Sequence, residues 1–88
     1  MGIVEKDFTE QEIADFYHRI METIKELRKS KGVSQMDLAY AIGHKSMSSI
    51  AKIESGRENK HYNLEHLYKI SKVLNVDICE LIHPTPDK

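Results

Sequence analysis

Five segments of this 88-residue chain carry apolar residues at steps of three and four, and residues that start or stop helices bound them. Such spacing places the apolar side chains on one face of an α-helix. No segment shows the strict alternation of apolar and polar residues that is typical of a half-buried strand. The sequence therefore predicts an all-α fold, and its length leaves room for a single hydrophobic core.

The first helix is predicted from about Glu10 to Lys31. Thr9 and Glu12 have the spacing of a capping box, in which the two residues bind each other's backbone N–H groups. Gly32 ends the segment, and basic residues in its last turn suit the negative end of the helix dipole. We expect the apolar stripe of this helix to belong to the core rather than to a ligand pocket. The stripe consists of Ile13, Phe16, Tyr17, Ile20, Ile24 and Leu27.

Two short helices joined by a turn with a glycine are predicted in the middle of the chain. Ser34 caps the first of them and Gly43 ends it, and Ser46 caps the second, which spans residues 47–55. This is the geometry of a helix-turn-helix, whose second helix lies in the major groove of DNA. The inward-facing residues are Leu38, Ala39 and Ile42 in the first helix and Ile50 and Ile53 in the second. The outer face of the second helix is then Met47, Ser48, Ala51, Lys52 and Ser55, which is small and polar with one cation.

Two further helices are predicted after residues 57–62, which have no periodicity and are expected to form an exposed loop. Asn63 caps the fourth helix and Asp77 caps the short fifth helix. Pro84 and Pro86 end the structure. The residues expected inside are Leu64, Leu67, Tyr68, Ile70, Val73 and Leu74 in the fourth helix and Ile78, Leu81 and Ile82 in the fifth.

The predicted domain spans residues 9–83, between an N-terminal arm of residues 1–8 and a disordered tail of residues 84–88. No apolar run approaches the length of about 18 residues that a membrane span requires. The first residues are acidic where a signal peptide is basic and then apolar, so we expect a cytoplasmic protein. Cys79 is the single cysteine, so the chain cannot form an internal disulfide and its stability is expected to come from packing alone. We expect Cys79 itself to pack among apolar residues.

Charge is divided unevenly along the chain, although its formal net charge is only −1. Residues 1–27 hold seven acidic and three basic residues, whereas residues 28–60 hold three acidic and seven basic residues. The middle third can therefore produce a positive field that attracts phosphates. The same division could arise by chance on a mixed surface. Charge therefore supports nucleic-acid binding only together with the helix-turn-helix pattern.

Four stretches of sequence carry a resemblance to a known family. They are IKELRKSKGVSQ (residues 24–35), LAYAIG (38–43), IAKIESG (50–56) and LNVDICELI (74–82). In this order they resemble the Cro/repressor-type helix-turn-helix regulators, also called the XRE family. The resemblance implies a five-helix domain of the lambda-repressor type, here with an extended first helix, that binds operator DNA as a homodimer. It implies no cofactor.

The resemblance also implies roles for individual residues. Gln35 would contact a phosphate and support the recognition helix, which the sequence places at about residues 46–55. Lys52 would contact a guanine through its O6 and N7 atoms, and Met47 would offer apolar contact to a thymine methyl group. Ser48 would also face base edges. The other predicted DNA contacts are Lys45, Ser46, Ser49, Ser55, Arg57 and Lys60.

Further predictions concern the internal structure of the domain and its dimerisation. The resemblance implies a structural ion pair between Arg28 and Glu54. The turn of residues 43–46 is longer than the commonest family pattern, which shifts Lys45 relative to the groove. The first helix begins before the family's usual start, and this extension could cover the core or add to a dimer interface. We place the dimer interface on the fifth helix, whose apolar residues cannot all be buried by one short helix's own contacts. These residues are Ile78, Leu81 and Ile82.

Other function classes have less support. The chain has no glycine-rich phosphate loop and no nucleophile signature, so we predict that it is not an enzyme. Its five histidines show none of the usual ligand spacings, so we predict no metal site. The alternative function is an antitoxin-like or adaptor module that keeps this fold but binds protein instead of DNA. A protein partner such as a toxin or a polymerase subunit stays open, as does the choice among repressor, restriction–modification controller and antitoxin.

Overall fold

The computed structural model describes residues 7–56 and 60–82, and these form an all-helical fold without strands, as the sequence predicts. None of the helices found in these two ranges is long and apolar enough to cross a membrane. The predicted tail of residues 84–88 and most of the predicted N-terminal arm lie outside the described residues. The helices are α1 (Glu10–Ser30), α2 (Gln35–Ala41), α3 (Ser48–Ser55), α4 (Leu64–Leu74) and α5 (Ile78–Ile82).

Side-chain caps fix where three of the helices begin. The Thr9 hydroxyl accepts the backbone N–H three residues further on at 2.9 Å, at the start of α1. The Ser34 hydroxyl accepts the Asp37 N–H at 2.9 Å, and the Asp37 carboxylate closes a capping box at the start of α2. At the start of α4 the Asn63 side chain accepts the His66 N–H at 2.7 Å. The predicted starts of α1, α2 and α4 are therefore confirmed.

The third helix begins at Ser48 rather than at Met47. Met47 occupies the N-cap position, and its side chain makes no capping hydrogen bond. The Ser46 hydroxyl lies 3.3 Å from the Ser48 backbone N–H, which it accepts, and 2.9 Å from the Ser48 hydroxyl. The prediction that Ser46 is the N-cap of α3 is therefore wrong, although its hydroxyl still contacts the first turn.

One hydrophobic core gathers side chains from all five helices. Each buried leucine or isoleucine contributes about 1.5–3 kcal/mol relative to an exposed one. Because α3 is short, its position depends on these contacts and not on intrinsic helix stability. The largest fully buried side chains are Ile24 from α1, Leu38 from α2, Ile50 from α3, Ile70 and Leu74 from α4, and Leu81 from α5.

The N-terminal half of α1 lies largely outside this core. Ile13 and Phe16 are 43% and 42% exposed, and the buried stripe begins at Ile20. A helix of 21 residues is about 31 Å long, whereas the α3 helix beneath it has 8 residues. The predicted core positions of Ile13 and Phe16 are therefore wrong, and Ile13 lines an open groove instead.

The fourth helix buries a narrower stripe than its sequence suggests. Leu67 and Leu74 are buried, but Leu64 is 75% exposed and Tyr68 and Val73 are also exposed. Leu64 lies in the first turn, at the edge of the stripe, where no neighbouring helix covers it. The predicted burial of Leu64, Tyr68 and Val73 is therefore wrong.

Tyr62 lies in the predicted exposed loop but is only 3% exposed. It precedes the Asn63 cap, and Leu67 occupies the fourth position of α4, which are the two positions of a hydrophobic staple. Both side chains belong to the core cluster. Burial is the main cause that raises the pKa of the Tyr62 phenol well above its ordinary value, and the Glu54 carboxylate adds to it. The exposed-loop prediction is therefore wrong at this residue.

The fifth helix contributes to the monomer's own core. Leu81 is fully buried, and Ile78 and Ile82 are partly buried against the same cluster. Leu81 therefore has no exposed surface to offer a partner, which corrects its predicted place in a dimer interface. Asp77 caps α5 as predicted, since its carboxylate accepts the Cys79 backbone N–H at 2.8 Å. Cys79 is exposed, so its predicted apolar packing is wrong.

Candidate nucleic-acid interface

The turn between α2 and α3 sets the angle at which α3 is presented. Gly43 has a φ of +97°, a conformation that glycine adopts without the steric cost of a side chain. The backbone N–H of His44 donates to the Ala39 carbonyl at 2.8 Å, which ties the turn back to α2. Ala39 is fully buried, and its small side chain allows close packing at this point. The two helices are therefore held in a compact helix–turn–helix arrangement.

A buried hydrogen-bond network fixes α3 to the rest of the domain. Arg28 on α1 donates from Nε and Nη2 to the two carboxylate oxygens of Glu54 on α3, at 2.8 and 2.9 Å. Its third nitrogen, Nη1, donates to the Val33 carbonyl at 2.8 Å. Such bidentate, charge-assisted pairs are among the strongest hydrogen bonds in proteins. The ion pair that the family resemblance implies is thus present, and it links α1 to α3.

Gln35 at the start of α2 joins the same network. Its Nε2 donates to Glu54 Oε1 at 2.9 Å, so the carboxylate receives hydrogen bonds from α1 and from α2. A side-chain amide has two N–H groups, and this bond uses one of them. Gln35 therefore supports α3 as expected, and its phosphate contact stays a prediction.

The outer face of α3 is small and polar. Ser48, Lys52 and Ser55 are exposed on it, opposite the buried Ile50 and Glu54. Hydroxyl groups and one long cation leave little steric bulk on this face, so a nucleic-acid groove can approach the helix closely. The structure thus brings together the residues that the sequence assigns to base contact.

The predicted backbone contacts surround this face. Lys45 and Ser46 are exposed just before α3, Ser49 is half-buried on its flank, and Ser55 is exposed in its last turn. Met47, which the sequence assigns to base contact, is exposed at the N-cap position of α3. Lys60 is exposed beyond the C-terminal end of α3. Arg57 lies outside the described residues.

A cavity of about 270 Å³ lies on the flank of α3, and sequence reasoning missed it. We call it the histidine pocket. The His44 and His66 rings lie 5.4 Å apart between their centroids, and the His61 ring stacks on Tyr17 of α1 at 3.7 Å. Burial is the main cause that lowers the pKa of His66 below its ordinary value, and His44 adds to this effect. The pocket is lined by His44, Ser48, Ser49, Lys52, Ile53, Lys60, His61 and His66.

A larger groove of about 940 Å³ runs along the N-terminal half of α1. Phe8 and Ile13 line one side of it, and Lys60 and His61 lie on the other. This groove does not include the outer face of α3. Within the part of the chain that the structure describes, no group of three or more His, Cys, Asp or Glu side chains could hold a metal ion.

Comparison with known proteins agrees with this architecture. A family model described as helix-turn-helix matches residues 24–81, the range from the middle of α1 to α5. Among solved structures, the N-terminal DNA-binding domain of SinR from Bacillus subtilis superposes with a TM-score of 0.66 and 31% sequence identity. The match covers 80% of this chain and 99% of that domain. The search of curated proteins gave no match.

Proposed function

Because this chain belongs to the Cro/repressor-type (XRE) helix-turn-helix family, we propose that it regulates transcription by binding a specific site in double-stranded DNA. The observation that carries the proposal is the exposed polar face of α3, held by the buried Arg28–Glu54 pair. The similar N-terminal domain of SinR from Bacillus subtilis is a DNA-binding domain. The proposal makes the protein a regulator rather than an enzyme, and it places the protein in the cytoplasm together with the DNA.

In this proposal α3 lies in the major groove. Lys52 contacts a guanine at O6 and N7, Ser48 faces a base edge, and Met47 packs on a thymine methyl group. Phosphate contacts position the helix and carry no sequence information of their own. They come from Gln35, Lys45, Ser46, Ser49, Ser55, Arg57 and Lys60.

The proposed active form is a homodimer on a near-palindromic operator. Two copies would place their recognition helices about 34 Å apart, in successive major grooves. Ile78 and Ile82 of α5 supply the proposed dimer contact, since both keep part of their surface exposed. Occupying a promoter would repress transcription, and a partner such as a polymerase subunit or a toxin would modify that effect.

One observation favours the alternative, an antitoxin-like or adaptor module that binds protein. Phe8, Ile13 and Phe16 expose large apolar side chains along the N-terminal half of α1. Exposed apolar patches of this kind mark interaction surfaces. The small polar face of α3 next to basic residues favours DNA binding over this alternative.

A binding selection from random duplex DNA tests the proposal. We expect the wild-type protein to enrich a two-fold symmetric motif. Lys52→Ala should lose preference at one position in each half-site, at a cost of about 1–3 kcal/mol for the preferred base. Lys72→Ala is the matched control, because it removes an exposed cation from the last turn of α4 instead of from α3. If the wild-type protein enriches no motif, the result supports the adaptor alternative instead.

A further inference from the structure

The proposed DNA contacts leave three histidines of the histidine pocket without a role. We propose that this pocket binds one phosphate of the DNA backbone and that protons are taken up when it is filled. DNA binding would then weaken as the pH rises through the range in which histidine loses its proton. This inference rests on the proposed function and adds a pH-dependent site to it.

The chemistry of the pocket lining fits a phosphate group. Lys52 and Lys60 supply positive charge, and Ser48 and Ser49 supply hydroxyl donors. Among the described residues that line the cavity there is no carboxylate to repel an anion. A water molecule takes up about 30 Å³ in the liquid, so a cavity of about 270 Å³ has room for a phosphate.

The position of the pocket places that phosphate next to the recognition helix. Ser48 and Lys52 belong both to the outer face of α3 and to the pocket lining. A duplex whose major groove receives α3 therefore brings its sugar–phosphate backbone to this flank. The phosphate source that the geometry favours is thus the bound DNA and not a small molecule.

His66 has one ring nitrogen committed to the cap of α4. The Asn63 backbone N–H lies 3.2 Å from His66 Nδ1, which accepts its hydrogen bond. The proton of the neutral ring is therefore on Nε2, which leaves Nε2–H as the donor for a ligand. Protonation of Nδ1 would break this half of the cap, which opposes the charged form in the absence of an anion.

Burial lowers the pKa of His66 most, His44 and Lys69 lower it further, and Glu65 raises it. His44 faces His66 from the turn after α2, and the Tyr62 ring meets His66 edge-on at 6.0 Å. Glu65 and Lys69, which lie next to His66 on α4, pair with each other at 2.9 Å. The Glu54 carboxylate behind α3 is occupied by Arg28.

His61 is stacked on the uncharged Tyr17 of α1 and follows Lys60 in the chain. An anion that enters the pocket meets His66, whose protonated form is disfavoured by burial and by His44. An opposite charge favours the protonated form of a histidine, so phosphate binding should be linked to proton uptake. Affinity for the duplex is therefore highest at low pH, where the protons are already bound, and falls as the pH rises.

The test is calorimetry of the full chain with its selected duplex near pH 6.5, in two buffers that differ in ionisation enthalpy. We expect net proton uptake, and an affinity that falls by up to roughly tenfold per pH unit for each linked proton. His44→Gln combined with His66→Gln should abolish most of the uptake and weaken specific duplex binding without abolishing it, because the contacts of α3 remain. Glutamine at position 66 can still accept the capping hydrogen bond, so the variant should fold.

His18→Gln is the matched control, since His18 is an exposed histidine that pairs with Glu22 and does not line the pocket. A second arm follows the histidine ring protons by NMR with inorganic phosphate alone and then with the duplex. Shifts of the pocket histidines that need the duplex support DNA as the source. Equal shifts with inorganic phosphate at micromolar concentration would instead assign the pocket to free phosphate and overturn the inference.

The failure of this inference is distinguishable from the failure of the proposed function. Specific duplex binding without proton uptake, or with uptake that survives in the double variant, would overturn the inference and leave the proposed function standing. An absence of specific duplex binding at every pH would overturn both.

Discussion

Glu54 is the residue at which three parts of the domain meet. Its carboxylate receives two hydrogen bonds from Arg28 and one from Gln35, and both members of the ion pair are buried. A buried carboxylate costs several kcal/mol to desolvate, and only this full set of donors offsets that cost. Hydrophobic contacts hold α3 on the core, but they permit small rotations. The network therefore sets the orientation of the face that we propose contacts DNA.

We predict that Arg28→Met lowers the free energy of unfolding by about 3–5 kcal/mol, because it leaves the Glu54 carboxylate buried without its partner. Combining it with Glu54→Leu should restore much of the loss, since no charge then remains buried. Urea denaturation of the two variants and the wild type measures both effects. If Arg28→Met alone lowers the free energy of unfolding by less than about 1 kcal/mol, the ion pair contributes no more than an exposed pair does.

Gln35→Ala separates orientation from stability. It removes one neutral donor to a carboxylate that keeps Arg28, so the domain should still fold.

At the scale of single residues, the ion pair could be anticipated from the family resemblance. The histidine pocket could not, because His44, His61 and His66 come from three segments whose spacing in the sequence carries no common pattern.

At the scale of the helices, the caps of α1 and α4 have different importance. Thr9 begins a helix whose first turns contribute nothing to the buried core, whereas Asn63 begins a helix whose first turns hold Leu67. Tyr62 and Leu67 close the same end of α4 from both sides of the cap. Loss of the Asn63 cap should therefore lower the stability of the whole domain, whereas loss of the Thr9 cap should destabilise only the first turns of α1.

We predict that Asn63→Ala lowers the free energy of unfolding by about 0.5–2 kcal/mol, the usual cost of a lost N-cap. Thr9→Ala is the matched control, and it should change global stability less while increasing hydrogen exchange in the first turns of α1. Thermal denaturation and native-state hydrogen exchange measure the two effects. Equal losses from both variants would contradict the view that the start of α1 is independent of the core.

These elements also show what the sequence could predict. Helix starts at Thr9, Ser34 and Asn63 follow from local chemistry, because a cap and its backbone partner are three residues apart. The buried faces were predicted less well, since periodicity identifies a face but not the length of the neighbour that covers it. This is why Ile13 and Leu64 are exposed. The outer face of α3 was predicted although the start of the helix was not, because its end at Gly56 and its inward-facing Ile50 and Ile53 agree with the structure.

At the scale of the whole molecule, charge and shape distinguish the N-terminal half of α1 from the region around α3. The described residues extend over 48 × 29 × 23 Å, and the acidic half of α1 protrudes beyond the core. The basic middle third surrounds α3, so the acidic extension does not have to lie near the DNA phosphates. Two partly apolar surfaces, one on α5 and one on the start of α1, are then left for association between copies.

We predict that the dimer forms through α5. Ile82→Glu should convert the protein to a monomer in equilibrium sedimentation at high micromolar concentration, because it places a charge in the proposed contact. Phe16→Glu, which puts the same charge on an exposed apolar residue of α1, should leave the dimer intact. The reverse result would move the interface to the extension of α1, and a wild-type protein that stays monomeric would leave neither surface as a self-association site. Because a single half-site offers few base contacts, the monomeric variant should also bind its operator far more weakly while keeping the same preference within each half-site.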